Sequence, residues 1–254
     1  MNYLSKNKTL LAFFALVSIA LTSCVKSEDQ DKGVLDIITE YSLNIPEPSG
    51  LTLCTNSDLL YTVSDNSDKI FKITTKGKNL GSFKTGCNDL EGVAYDNTNN
   101  NIWIIEEGKR NAVQFDLNGK KLKQISVPVK TIRANKGIEG IAINPVNQHV
   151  FVLNEASPGM LVELDANGKL VKSTKLLFAI DYSGVFVNNT GTELWIVSDE
   201  SAKIYRCNMK GEVLDDYKIN VKQAEGIAID FSKGIIYVVS DYTQKLYLFN
   251  LPNN

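Results

Sequence analysis

Short apolar runs separated by turn residues fill the chain from about Leu35 onward, and apolar side chains within them fall on alternate positions. The pairs Phe71 and Ile73, Val113 and Phe115, Val162 and Leu164, Tyr205 and Cys207, and Tyr247 and Phe249 illustrate the rhythm. A period of two belongs to strands, because successive side chains point to opposite faces of a sheet. Four of these runs lead into Gly-centred turns: Thr74–Lys78, Asp116–Lys120, Asp165–Lys169 and Asn208–Glu212. Such turns predict tight hairpins whose glycine takes a positive φ.

The pattern repeats as a unit. Its first strand opens with Ser49-Gly50-Leu51, Glu91-Gly92-Val93, Glu139-Gly140-Ile141, Ser183-Gly184-Val185 and Glu225-Gly226-Ile227, at intervals of 42, 48, 44 and 42 residues. Its second strand ends on a polar residue and an acid. These acids are Asp65, Glu107, Glu155, Asp199 and Asp241, each 16 residues after the start of its unit. Periods of this size suit four short strands, one blade of a β-propeller. The prediction is an all-β, five-bladed propeller of four-stranded antiparallel blades over residues 35–254. No unassigned stretch is long enough for a sixth blade, and so strict a repeat disfavours a β-sandwich. The fifth unit lacks its fourth strand, and the segment Leu35–Ile45 supplies it, closing the ring from both termini and hiding two sheet edges. The one large irregularity is an insertion at Lys130–Gly137.

Ahead of the repeats the pattern changes. Lys6 and Lys8 precede an apolar run from Leu10 to Leu21, too short to span a bilayer as a mature helix, which reads as a signal peptide over residues 1–23. Leu21-Thr22-Ser23-Cys24 resembles a bacterial lipobox, which implies cleavage before Cys24 and lipidation of Cys24. Residues 24–34 are expected to be a polar, acidic tether. Val25, rather than an aspartate, follows the cysteine, so an outer-membrane lipoprotein is expected, facing the periplasm or the cell surface. The Ser27-Glu28-Asp29 run resembles the surface-export tether of some Gram-negative lipoproteins.

Charge narrows the partners. Lys and Arg total 27 against 29 Asp and Glu, a net charge of −2 without a basic stripe, which disfavours nucleic acid. Cys54, Cys87 and Cys207 follow Cys24, and an odd number cannot all pair within one chain. Spacing leaves open whether one disulfide or buried free thiols result. A monomer is expected.

The two markers fall at the same edge of each blade, since the start of one antiparallel strand lies beside the end of the next. Ser49, Glu91, Glu139, Ser183 and Glu225 should therefore line one mouth of the central channel. Asp65, Glu107, Glu155, Asp199 and Asp241 should form a second, outer ring. Two carboxylates ~5 Å apart at an effective dielectric of ~20 repel by about 3 kcal/mol. A hard cation, bound protons, or a basic side chain such as Arg133 or Lys136 from the insertion could relieve Glu91, Glu139 and Glu225. Oxygen-only donors favour Ca²⁺ over a transition metal. The outer acids, present in every unit, read as structural. The inner trio, replaced by Ser in two units, reads as the cation site.

These residues, the repeated Glu-Gly-Ile/Val-Ala with a following Ser-Asp or Glu-Glu strand end, resemble the SdiA-regulated (YjiK-like) family over roughly Asp36–Pro252. The resemblance implies a five-bladed propeller distantly related to NHL repeats, with a Ca²⁺ site and no established reaction. Its Glu-Gly positions match Glu91, Glu139 and Glu225.

Two functions remain. One is a non-enzymatic cell-envelope binding module for a protein, glycan or small molecule. The other is a metal-dependent hydrolase of esterase, lactonase or phosphatase type, resembling the enzymatic propellers that hold a divalent cation in the channel. Asn154 stands beside Glu155 as a possible oxygen donor. No Ser-centred nucleophile motif, P-loop or dinucleotide fingerprint occurs. His149, the single histidine, is expected as an exposed turn residue at the far edge of its blade. Trp103 and Trp195, in equivalent strands, are expected to pack between blades. The binding module is favoured.

Overall fold

Each predicted unit forms a four-stranded antiparallel sheet, and the five sheets stand in a ring. The computed structural model describes residues 31–54, 57–129, 137–156 and 158–252. Two strands, β1 (Asp31–Val34) and β2 (Ile37–Ser42), precede the first blade. Blade I is β3 (Pro48–Leu53), β4 (Leu59–Ser64), β5 (Lys69–Thr74) and β6 (Asn79–Lys84). Blade II is β7 (Leu90–Asp96), β8 (Asn101–Glu106), β9 (Asn111–Asp116) and β10 (Lys121–Ser126). Blade III is β11 (Ile138–Ile143), β12 (Val150–Asn154), β13 (Met160–Leu164) and β14 (Leu170–Lys175). Blade IV is β15 (Gly184–Val187), β16 (Glu193–Ser198), β17 (Lys203–Asn208) and β18 (Val213–Lys218). Blade V is β19 (Ala224–Asp230), β20 (Ile235–Ser240), β21 (Lys245–Asn250) and then β2.

Closure comes from the N-terminal strand as expected, with Ile37 opposite Phe249 and Tyr41 opposite Leu246. Ahead of it, β1 lies parallel to β18 at the edge of blade IV, and the Leu35 amide donates to the Lys218 carbonyl at 2.9 Å. The last residues of the expected tether are thus a strand. The signal peptide, Cys24, Arg133 and Lys136 lie outside the described residues.

Burial explains the strand order. The second strands are near-continuous apolar runs, as in Ile102–Ile105, because neighbouring blades cover both their faces. The outermost strands are mostly exposed. One apolar cluster fills each gap between blades. Leu43, Leu51, Phe71 and Val239 close the gap between blades V and I, and Val63, Leu90, Val93 and Phe115 the next. Trp103 and Trp195 are buried in two such gaps, and Trp195 stacks on Tyr217 at 6.2 Å. Cys54, Cys87 and Cys207 are buried free thiols. The hairpin glycines Gly77, Gly119, Gly168 and Gly211 have φ of 73°, 85°, 89° and 81°.

Candidate cation site at the channel mouth

The five inner strands begin together at one end of the channel. Register fixes this: Pro48 lies opposite Ser64, Leu90 opposite Glu106, Ile138 opposite Asn154 and Ala224 opposite Ser240. In blades I, II, III and V the register shifts within the next residues, around the Ser-Gly or Glu-Gly step. A bulge of this kind re-aims a side chain, here toward the mouth. The glycine of each step lets neighbouring inner strands touch. A Cβ on Gly92 would sit 2.2 Å from the Glu139 carbonyl oxygen, and one on Gly184 would sit 2.7 Å from that of Glu225.

The inner acids are held in a medium that disfavours their charge. Burial pushes the Glu91 carboxyl up to about 8, opposed by a hydrogen bond from Ser49 and reinforced by the charges of Asp65, Glu225 and Glu107. Ser49 Oγ lies 2.7 Å from both Glu91 Oε2 and the Glu91 carbonyl oxygen, so the serine at this position is a partner of the neighbouring glutamate. Burial also pushes Glu225 up to about 8, with Asp199, Asp241 and Asp181 adding to it. Glu139 is raised well above its usual range, by burial first and then by Glu155, Glu91 and Glu225. The inner trio therefore faces one electrostatic environment, in which burial first and neighbouring carboxylates after it disfavour the charged form.

The outer acids sit at the seams between blades. Glu107 Oε1 accepts the Gly137 amide of blade III at 2.7 Å. The Gln223 and Ala224 amides of blade V act on Asp199, whose carboxyl is nevertheless raised by burial and by Asp181. At two seams acid meets acid: Asp65 faces Asp89, and Asp241 faces Glu47, and both carboxyls are raised by burial and by these neighbours. Glu155 is buried beside Glu139.

The position two residues before each inner marker is new relative to the sequence reading. It holds Glu47, Asp89, Gly137, Asp181 and Gln223, and its backbone carbonyl accepts the amide of the outer acid in blades I, II, III and V. Glu47, Asp89 and Gln223 have positive φ there. Asp181 is tied down by Ser183, Ser198 and the Glu200 amide. Asp89 takes the Gly108 amide on one oxygen at 2.8 Å. Asp65, Asp89 and Glu91 each offer one oxygen, and these lie within 4.8 Å of one another. No other group of three His, Cys, Asp or Glu side chains among the described residues converges so tightly. Glu139 and Glu225 share the mouth with Glu91 but stand outside this group. The tightest oxygen cluster thus combines one inner acid, one outer acid and Asp89. Its all-oxygen donor set, with one side open to solvent at Asp65, suits a hard divalent cation.

His149 lies at the opposite edge of blade III, as expected. It is half-buried rather than exposed, because its Nδ1 lies 2.6 Å from Glu163 Oε1. It is no partner for the acids at the mouth.

Residues 37–250 match the model of the SdiA-regulated family. The chain belongs to the SdiA-regulated family. Similar solved structures carry the ring but little of the sequence. The glutaminyl cyclase of Myxococcus xanthus aligns with a TM-score of 0.68 and 13% identity, over 85% of this chain and 96% of that one. A chain of a nidogen/laminin complex aligns with a TM-score of 0.57 and 12% identity, over 80% and 76%. The catalytically inactive virginiamycin B lyase from Staphylococcus aureus with quinupristin aligns with a TM-score of 0.51 and 17% identity, over 81% and 66%. At these identities the likeness is one of fold. It places the SdiA-regulated chain among propellers and transfers no chemistry to its mouth.

Proposed function

We propose that this member of the SdiA-regulated family is an exported, lipid-anchored, calcium-binding propeller that serves the cell envelope as a binding module. The observation that carries the calcium reading is the convergence of Asp65, Asp89 and Glu91 within 4.8 Å. Glu139 and Glu225 stand nearby to add charge. Ca²⁺ would offset the repulsion among the carboxylates gathered at the mouth. Solvent and loop carbonyls would complete its shell. The lipobox resemblance supports anchoring through Cys24 in the outer membrane, and none of the described helices is long and apolar enough to cross a bilayer.

Terbium luminescence and calorimetric Ca²⁺ titration test the site. Saturable binding of one ion, weakened at least tenfold in Asp89→Asn and in Glu91→Gln, is expected. No binding at millimolar Ca²⁺ would sink the proposal. Radiolabelled palmitate tests the anchor: incorporation should vanish in Cys24→Ser.

Metal-dependent hydrolysis is the second reading. The observation that favours it is that Glu225 shares the mouth with the Asp65, Asp89 and Glu91 cluster, where burial raises its carboxyl above the usual range and suits it to act as a general acid. A panel of esters, lactones and phosphate esters decides. Calcium-dependent turnover lost in Glu225→Gln would replace the binding module with an enzyme.

A further inference from the structure

The channel has a second end. It lies about 17 Å along the inner strands from the acidic mouth, at five residues of ~3.3 Å each. A cavity of about 400 Å³ opens there, lined by the later residues of β3, β7, β11, β15 and β19 and by the turns that follow them. Its volume falls within the range of small-molecule sites.

The five-fold pattern breaks in this cavity. Three residues after each inner marker the chain carries Thr52, Ala94, Ala142, Phe186 and Ala228. Of these, Thr52, Ala94, Ala142 and Phe186 line the cavity, where three small side chains leave space open and Phe186 supplies an aromatic wall. Phe231, on the turn after β19, stands with its ring centroid 6.3 Å from that of Phe186, the planes inclined by 37°. Both rings are half-buried and line the cavity. Phe231 in turn meets the buried Trp195 in a T-shaped pair with ring centroids 6.4 Å apart.

The polar groups decide the charge of an occupant. Neither Lys nor Arg lines the cavity, so an anion has no counter-charge. Two carboxylates line it, but both are engaged in their own turns. Asp96 accepts the amides of Thr98 and Asn99 at 2.9 and 3.2 Å. Asp230 accepts the Ser232 amide at 3.0 Å and Oγ at 2.6 Å, and pairs with Lys233 at 3.1 Å. The exposed amide side chain of Asn189 at the rim offers a ligand a neutral polar group.

We propose that this end of the channel binds a neutral, ring-bearing small molecule, stacked against Phe186 and Phe231 with its polar edge toward Asn189. The site is independent of the cation reading of the other mouth. Trp195 reports on it through Phe231, and Trp103, the other tryptophan, can be removed as Trp103→Phe.

The test uses the full chain in dodecylmaltoside, with EDTA present, and 2-naphthol as probe. A saturable change in Trp195 emission is expected. It should weaken at least tenfold in Phe186→Ala, which removes the wall. It should weaken as much in Ala142→Phe, which fills the space with a side chain that blade IV already accommodates at the same register. Comparison between variants cancels partition into the micelle. Naphthalene-2-sulfonate, the charged analogue, should bind at least tenfold more weakly. An unsaturable response, equal binding in Ala142→Phe, equal binding of the sulfonate, or a requirement for Ca²⁺ would each overturn the proposal.

Discussion

Glu139 sits where burial and three other carboxylates all oppose its charge, and Glu91 and Glu225 share that fate. Carboxyls raised above their unfolded values bind more protons in the folded chain than in the unfolded one. Their contribution to stability is fully present below about pH 4.5, and is lost as pH rises through the folded value, about 8 for Glu91 and Glu225. Each such group contributes at most about 1.4 kcal/mol per pH unit. The melting temperature in EDTA should therefore fall between pH 5 and pH 8.5, and the fall should be shallower in Glu91→Gln. Millimolar Ca²⁺ should restore the loss at the alkaline end. A flat profile in EDTA would contradict the raised carboxyls. A different acid illustrates the opposite arrangement. Asp215, 2% exposed, is held by Arg206 through Nε at 2.7 Å, and Arg206 Nη1 also reaches Glu193 at 2.8 Å. Arg206→Ala takes the guanidinium charge away from the buried Asp215, and chemical denaturation should show a loss of about 3 kcal/mol.

At the scale of the strand, the Glu-Gly step does two jobs. The glutamate is re-aimed by the bulge, and the glycine admits the next inner strand. Gly92→Ala pushes a Cβ to 2.2 Å from the Glu139 carbonyl, which only a shift of a whole blade relieves. A loss above about 3 kcal/mol, or no soluble protein, is expected. Gly234 is the control: its φ is 64° but no atom lies within 4 Å of an added Cβ. Gly234→Ala should cost about 1 kcal/mol, the strain of the left-handed backbone alone. Paired denaturation curves separate the two. The markers at fixed spacing made blade count, strand order and the position of Glu91, Glu139 and Glu225 legible, because those positions repeat. Asp89 escaped notice because its position runs Glu, Asp, Gly, Asp, Gln around the ring and presents no consensus. The partnership of Ser49 with Glu91 spans 42 residues and depends on the packing of two blades. The cavity at the far end is built from Thr52, Ala94 and Ala142, whose contribution is the volume they leave unfilled, and small residues in a strand announce nothing by themselves.

For the molecule as a whole, stability rests on whether the ring is closed. Four blades are continuous in sequence, but blade V joins β2 from one end of the described chain to β21 from the other. The strand β2 covers the edge of β21, and the residues just after it, Leu43 and Ile45, are almost fully buried between blades V and I. The strand β1 contributes differently. It adds a fifth, parallel strand to blade IV, and Val34 on it is 61% exposed, so it buries little apolar surface. Two deletions separate these roles. Removing residues 31–34 should change stability by less than about 1 kcal/mol, since the edge of β18 that it uncovers belongs to a blade already complete. Removing residues 31–45 takes away the closing strand and two buried side chains, whose loss alone costs about 2–5 kcal/mol each. That variant should melt at least 10 °C lower or associate through the bared edge of β21, detectable by calorimetry and light scattering. Equal behaviour of the two deletions would mean that the ring holds without its closing strand. In that case the inter-blade clusters and the contacts of the Glu-Gly steps would carry the architecture by themselves.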